Sequence, residues 1–82
     1  MLTIEKFKES VARAMMEAAS VDSDMDLRDD DDFGDYGLDS LDGMNMLLEL
    51  ENMLGVDYGE IDLFEFNTVG KLYELTVTKL KS

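Results

Sequence analysis

Between Ser20 and Asp39 the chain loses all apolar periodicity, and nine of those residues are aspartate. Aspartate competes with helix by bonding to nearby backbone N–H groups, so regular structure is pushed to either side of this stretch. With 82 residues divided in this way, the chain has room for one small domain, 1–82, with a modest core and no large active-site cavity.

Upstream of the aspartates, Ile4, Phe7, Val11, Ala14, Met15 and Ala18 recur at steps of three and four, which predicts an amphipathic helix over residues 3–19 capped by Thr3. Its buried stripe is Ile4, Phe7, Val11, Met15 and Ala18, and Glu9 stands four residues before Arg13 on the exposed side, a favourable ion-pair spacing. Downstream, a second helix is expected over residues 41–54, ended by Gly55 in the C′ role.

At about 100° per residue, Met46, Leu47, Leu50, Met53 and Leu54 share one arc of that helix, and Leu41, Met44 and Leu48 share a second arc beside it. Asp42, Asn45, Glu49 and Asn52 take the polar remainder, with Glu51 between the two apolar arcs. If the helix were buried all round, Glu51 would be a charge pressed into apolar surroundings. The alternative reading makes Leu41, Met44 and Leu48 a small partner-facing patch rimmed by Asp42 and Glu51, an apolar centre with a charged edge.

Residues 56–66 predict a turn at Asp57-Tyr58-Gly59 and then one or two helical turns that bring Ile61 and Phe64 inward. A last helix begins at Asn67 or Thr68 and runs to Lys79 or beyond, with Val69, Leu72, Tyr73, Thr76 and Leu80 inward. Thr76-Val77-Thr78 has β propensity, but a lone strand would have no partner, and Lys79 and Lys81 suit the negative end of a helix dipole. The expected fold is all-α: a small bundle of three longer helices and one short helix, with a long acidic loop between helices one and two. Val21, Met25, Leu27, Phe33, Tyr36 and Leu38 would tack that loop down, while Arg28–Asp32 has the composition of a segment that stays disordered.

The chain has no cysteine and no histidine, which removes disulfides, thiolate chemistry, imidazole bases and the usual zinc ligands. Asp22, Asp24 and Asp26 open like an EF-hand, but the sixth position is Leu27 where glycine is needed and the twelfth is Phe33 where glutamate is needed. No dedicated metal site is expected. Net charge is −13, and residues 21–62 hold 15 acidic groups against Arg28 alone. Such a field repels nucleic acid and anionic lipid and draws in basic protein surfaces. No run approaches the roughly 18 to 20 apolar residues of a membrane span, and the amino terminus mixes charges, so a cytoplasmic monomer is expected.

The junction Gly37-Leu38-Asp39-Ser40-Leu41-Asp42 sets Ser40 at or beside the cap of the second helix. There its hydroxyl can accept from first-turn N–H groups, and the helix dipole favours a phosphate. From local residues alone, an ordinary cap is the competing reading.

The hexamer resembles the Asp-Ser-Leu attachment site of discrete (type II) acyl carrier proteins, and the order of predicted elements extends that resemblance over nearly the whole chain. The resemblance implies that Ser40 carries a 4′-phosphopantetheine arm, added from coenzyme A by a phosphopantetheinyl transferase. The arm would hold acyl groups as thioesters while separate loading and processing enzymes act on them, and the chain itself would not be an enzyme. It further implies that Asp39 helps present metal-bound coenzyme A to the transferase, that Leu41 belongs to the attachment motif, that Asp42 and Glu51 dock basic patches on partner enzymes, and that Leu41, Met44 and Leu48 make the apolar contacts between those acids. Asn45, Gly43 and Asn52 stand where fatty-acid carriers usually have glutamate, threonine and a further acid, which turns the resemblance toward specialised fatty-acid or polyketide pathways. Glu49-Leu50-Glu51-Asn52 followed by Gly55-Val56 is similar to D-alanyl carrier proteins, so an amino-acyl carrier loaded by an adenylating ligase stays open. An acidic interaction module with an unmodified Ser40 is the third reading.

Overall fold

Thr3 starts the first helix by accepting from the Lys6 amide through its hydroxyl at 3.2 Å and from the Phe7 amide through its carbonyl at 2.9 Å. A computed structural model describes residues 2–19, 27–59, 61 and 65–81 of the chain. They form three α-helices, α1 (Ile4–Ala19), α2 (Ser40–Leu54) and α3 (Val69–Lys81), with a short 3-10 turn at Phe33–Tyr36. No strand occurs among the described residues; a single antiparallel bridge joins Asp32 to Thr68. No described helix is long and apolar enough to cross a membrane.

The stripe expected on α1 packs chiefly against α2. Phe7, Val11 and Met15 are fully buried, as is Ala14, while Ile4 and Ala18 are only half-buried. Ala12 is buried with them. Glu9 pairs with Lys6 at 3.7 Å rather than with Arg13. On the far side of the core the Phe7 and Tyr73 rings meet with centroids 5.5 Å apart, and the Tyr73 hydroxyl donates to the Leu2 carbonyl at 2.8 Å. That contact ties α3 to the start of α1.

α3 stays helical through the Thr76-Val77-Thr78 stretch, and both threonine hydroxyls find their acceptors within the helix. Thr76 Oγ1 donates to the Leu72 carbonyl at 2.7 Å, and Thr78 does the same to Glu74 at 2.9 Å. Val69, Leu72 and Thr76 are buried as expected; Leu80 instead faces solvent, since the helix runs past the end of its supporting core. Lys79 and Lys81 sit in the last turn.

Residues 56–59 differ most from the expected turn. Val56 and Tyr58 both reach the core. Gly59 takes a left-handed φ of 65°, and the Asp57 carboxylate accepts from the Gly59 amide at 2.9 Å, so the turn closes around its own aspartate and the tyrosine is free to point inward. Because the Thr76 proton is committed to Leu72, the Tyr58 hydroxyl must donate to Thr76 Oγ1, 2.6 Å away. Of the short helix expected after this turn, Phe64 lies outside the described residues; Ile61 is half-buried against the core, and Glu65–Phe66 form a turn. Val21, Met25 and the EF-hand-like run Asp22–Asp26 also lie outside the described residues.

The Arg28–Asp32 segment, whose composition suggests disorder, answers the unpaired amides at the start of α3. The Asp29 carbonyl accepts from Gly70 N at 2.7 Å, the Asp31 carbonyl accepts from Val69 N at 3.3 Å, and Thr68 Oγ1 accepts from Lys71 N at 3.3 Å. Gly70 permits the approach, since a Cβ there would lie 3.0 Å from the Asp29 carbonyl oxygen. Leu27 is buried below the segment, and Lys8 of α1 meets the Asp29 carboxylate at 2.6 Å.

Burial raises the Tyr58 pKa, and the nearby Glu51 carboxylate adds to that rise. A phenol whose folded pKa lies above its unfolded value of about 10 stabilises fully below that value, and the contribution is lost as pH rises through the folded pKa. Tyr58→Phe should cost on the order of 1 kcal/mol at neutral pH and remove Tyr58's share of the alkaline loss, read from urea melts between neutral and strongly alkaline pH. Since 15 of the acidic groups crowd into residues 21–62, thermal melts should also shift upward with added salt as self-repulsion is screened. A melting temperature that falls with salt would mean that the aspartates are internally paired.

Candidate functional site

The first turn of α2 is capped by Asp39, not by Ser40. Asp39 Oδ1 accepts from the Asp42 amide at 2.8 Å while Asp42 Oδ2 accepts from the Asp39 amide at 3.4 Å, a reciprocal capping box. Asp39 is extended (φ −91°, ψ −174°), and Ser40 is therefore the first helical residue. The expectation that the Ser40 hydroxyl accepts from first-turn amides is corrected: a carboxylate one residue earlier already takes that donor. Ser40 is exposed, and its Oγ has no hydrogen-bond partner among the described residues. By contrast, Ser10 sits in mid-helix and donates to the Lys6 carbonyl at 3.1 Å.

A second small motif sits immediately before α2. Asp32 caps the 3-10 turn Phe33–Tyr36, its Oδ1 accepting from Gly34 N at 2.8 Å, and the turn ends at Gly37 with φ 80°. The turn buries Phe33 and half-buries Tyr36. Asp31 holds it from outside: its Oδ2 accepts from Arg28 N at 2.9 Å and from the Tyr36 hydroxyl at 2.7 Å. Those two donors, the Arg28 amide first, lower the Asp31 pKa. A depressed carboxylate stabilises above its unfolded pKa, and its contribution is lost as pH falls through the folded value. Nothing in the aspartate spacing signals this turn beforehand; the cap is recognisable only once Gly34 and Gly37 are seen around it.

Between the 3-10 turn, the start of α2 and the segment before α3 lies an open cleft of about 390 Å³. Ser40, Asp39 and Met44 border it from α2, with Leu47 deeper on the same helix. Phe33, Leu38 and Ile61 supply further apolar wall, and Asp32 and Asn67 supply the polar part. The last two are joined by a hydrogen bond from Asn67 Nδ2 to Asp32 Oδ2 at 2.9 Å. Their pairing across 35 positions leaves no trace in the local sequence.

On the outer face of α2, Leu41, Met44 and Leu48 are 65, 62 and 56 % exposed, whereas Met46 and Leu50 are fully buried and Leu47, Met53 and Leu54 half-buried. The helix is not buried all round. The two acids expected to rim the patch each have an internal partner as well. Asp42 closes the capping box, and Glu51 Oε2 accepts from the Tyr58 amide at 2.9 Å, fastening the turn after α2 back onto the helix. Glu51 escapes the penalty of a charge among apolar groups because that amide and solvent share its carboxylate.

The two faces of α2 should separate on mutation. Leu50→Ala should cost about 2 to 5 kcal/mol as a core truncation, while Met44→Ala should stay within about 0.5 kcal/mol, measured by urea unfolding of both variants.

A family model described as the phosphopantetheine attachment site matches residues 5–76 of the chain. No curated protein and no solved structure matches it.

Proposed function

The chain belongs to the phosphopantetheine attachment site family, and on that footing we propose that Ser40 is the serine that carries its arm. Members of the family bear a covalent 4′-phosphopantetheine and work as carriers rather than as catalysts. The observation that carries the assignment to Ser40 is its position: an exposed, unbonded hydroxyl on the first residue of a long helix, released from capping by Asp39.

The residues around it suit a phosphodiester. At the first helical position the α2 dipole favours the added negative charge, and the 3-10 turn and the Asp39–Asp42 box fix the backbone on both sides, so modification perturbs little of the fold. When bound, the arm supplies a terminal thiol that holds acyl groups as thioesters. This chain holds and presents them, since it has neither cysteine nor histidine to pair as nucleophile and base. Residues 1–82 then act as one carrier domain, a cytoplasmic monomer passing acyl intermediates between enzymes of specialised fatty-acid, polyketide or related biosynthesis.

Asp39 and Leu41 complete the motif read by the phosphopantetheinyl transferase. Leu41, Met44 and Leu48 form the apolar centre that partners cover, and Asp42 and Glu51 lie at its edge, attracting basic docking patches in addition to their structural roles. The charge of residues 21–62 acts mainly on encounter rate, so association with partners should weaken as salt is raised.

Co-expression with a broad-specificity phosphopantetheinyl transferase should add one arm per chain, and Ser40→Ala should abolish the addition while leaving the melting temperature close to that of the parent. Intact-mass spectrometry reads the first result and thermal unfolding the second. An unmodified Ser40 under conditions that load a control carrier would leave the acidic interaction module as the better reading.

A further inference from the structure

The cleft beside Ser40 is not uniformly apolar. Phe33, Leu38, Leu47 and Ile61 wall it, but Asp32 and Asn67 open onto it together. Asp32 is fixed there by two donors, Gly34 N on Oδ1 at 2.8 Å and Asn67 Nδ2 on Oδ2 at 2.9 Å. A carboxylate accepts about four hydrogen bonds, so each oxygen retains capacity. Among the described residues no cation pairs with Asp32: Lys8 is engaged with Asp29, and Lys71 reaches the Asn67 Oδ1 instead, at 3.4 Å.

Any group that fills this cleft displaces water from a carboxylate and an amide. A plain alkyl chain offers nothing in exchange, and leaving a polar group desolvated without a partner is costly. A group with its own N–H or O–H replaces the lost hydrogen bond, and an ammonium gains further from the uncompensated carboxylate charge. At about 390 Å³ the cleft falls within the range of small-molecule sites, with room for an acyl group.

Building on the reading of Ser40 as the arm-bearing serine, we propose that Asp32 and Asn67 select the cargo: the cleft holds an acyl group bearing a hydrogen-bond donor, amino-acyl or hydroxyacyl, in preference to an alkyl one. Asp32 is the specificity residue, and Asn67 holds its carboxylate in orientation. The 3-10 turn thereby has a second role, since the residue that caps it also faces the cargo.

The test uses the full chain carrying the arm on Ser40, loaded through the thiol with butyryl, 3-hydroxybutyryl or 3-aminobutyryl groups and checked by intact mass. Cleavage of each thioester by hydroxylamine is divided by the rate for the same thioester on free pantetheine, which removes intrinsic reactivity. The two donor-bearing cargoes should be protected about three- to tenfold more than butyryl, the range expected for one net hydrogen bond. They should also shift the Asn67 side-chain amide resonances in the unmutated protein. Asp32→Asn should bring the amino-acyl ratio up toward the butyryl value. Failure of Ser40 to take the arm would overturn the carrier reading and the cargo site with it. On a loaded Ser40, equal protection of all three cargoes, a preference for butyryl, or an amino-acyl preference undiminished by Asp32→Asn would overturn the cargo assignment alone.

Discussion

The first turn of α3 cannot satisfy its own amides, and much of the structure around Ser40 follows from how that need is met. A helix leaves its first N–H groups without internal partners. Here Thr68 answers one, and the carbonyls of Asp29 and Asp31 answer two more from a segment some forty residues earlier in the chain. Capture of those carbonyls draws the acidic segment against the positive end of the α3 dipole, where its charge is least costly. The bridge between Asp32 and Thr68 and the bond from Phe33 N to the Asn67 carbonyl at 2.9 Å continue the same run. The 3-10 turn is thus delivered to the mouth of α2, and Phe33 into the core.

A similar economy operates at α2. If Ser40 were the cap, its hydroxyl would be occupied by a first-turn amide and would have to leave that bond to react. Asp39 takes the capping position and Asp42 returns the favour, so the helix starts firmly with a free hydroxyl on its first residue. Glu51 likewise serves the fold through the Tyr58 amide while remaining near the exposed apolar arc. Substituting either acid therefore changes the fold's local anchoring as well as its surface charge, and a loss of partner binding in such a variant has two causes to separate.

The sequence made the helices legible because their information is local and periodic. Thr3, Thr68 and Gly55 mark ends, and the steps of three and four on α1 and the two arcs on α2 identify which side chains are buried. The Arg28–Asp32 segment is opaque for the opposite reason: its contacts come from carbonyls, which carry no residue identity, meeting amides far along the chain. Tyr58 was missed because a turn flanked by Asp57 and Gly59 looks solvent-facing until its Asx bond is seen to rotate the ring inward. The site was half legible. Asp39, Ser40 and Leu41 stand together in one motif, but Asp32 and Asn67 are brought together only by tertiary structure.

Met44 connects the two surfaces of α2. It is among the most exposed apolar residues of the described chain, and it also borders the cleft that Ser40 opens onto. The outward arc and the cleft are therefore adjacent regions meeting at one flexible side chain, which adapts to different neighbours at low cost. On the proposed reading of Ser40 and its cleft, a protein seated on Leu41, Met44 and Leu48 would meet the lip of the cleft at Met44, and that contact would bear on a group held beside Ser40. The deeper wall, Phe33 and Leu47, belongs to the packed interior and stays with the domain. One residue on the rim, Met44, thus belongs to both surfaces.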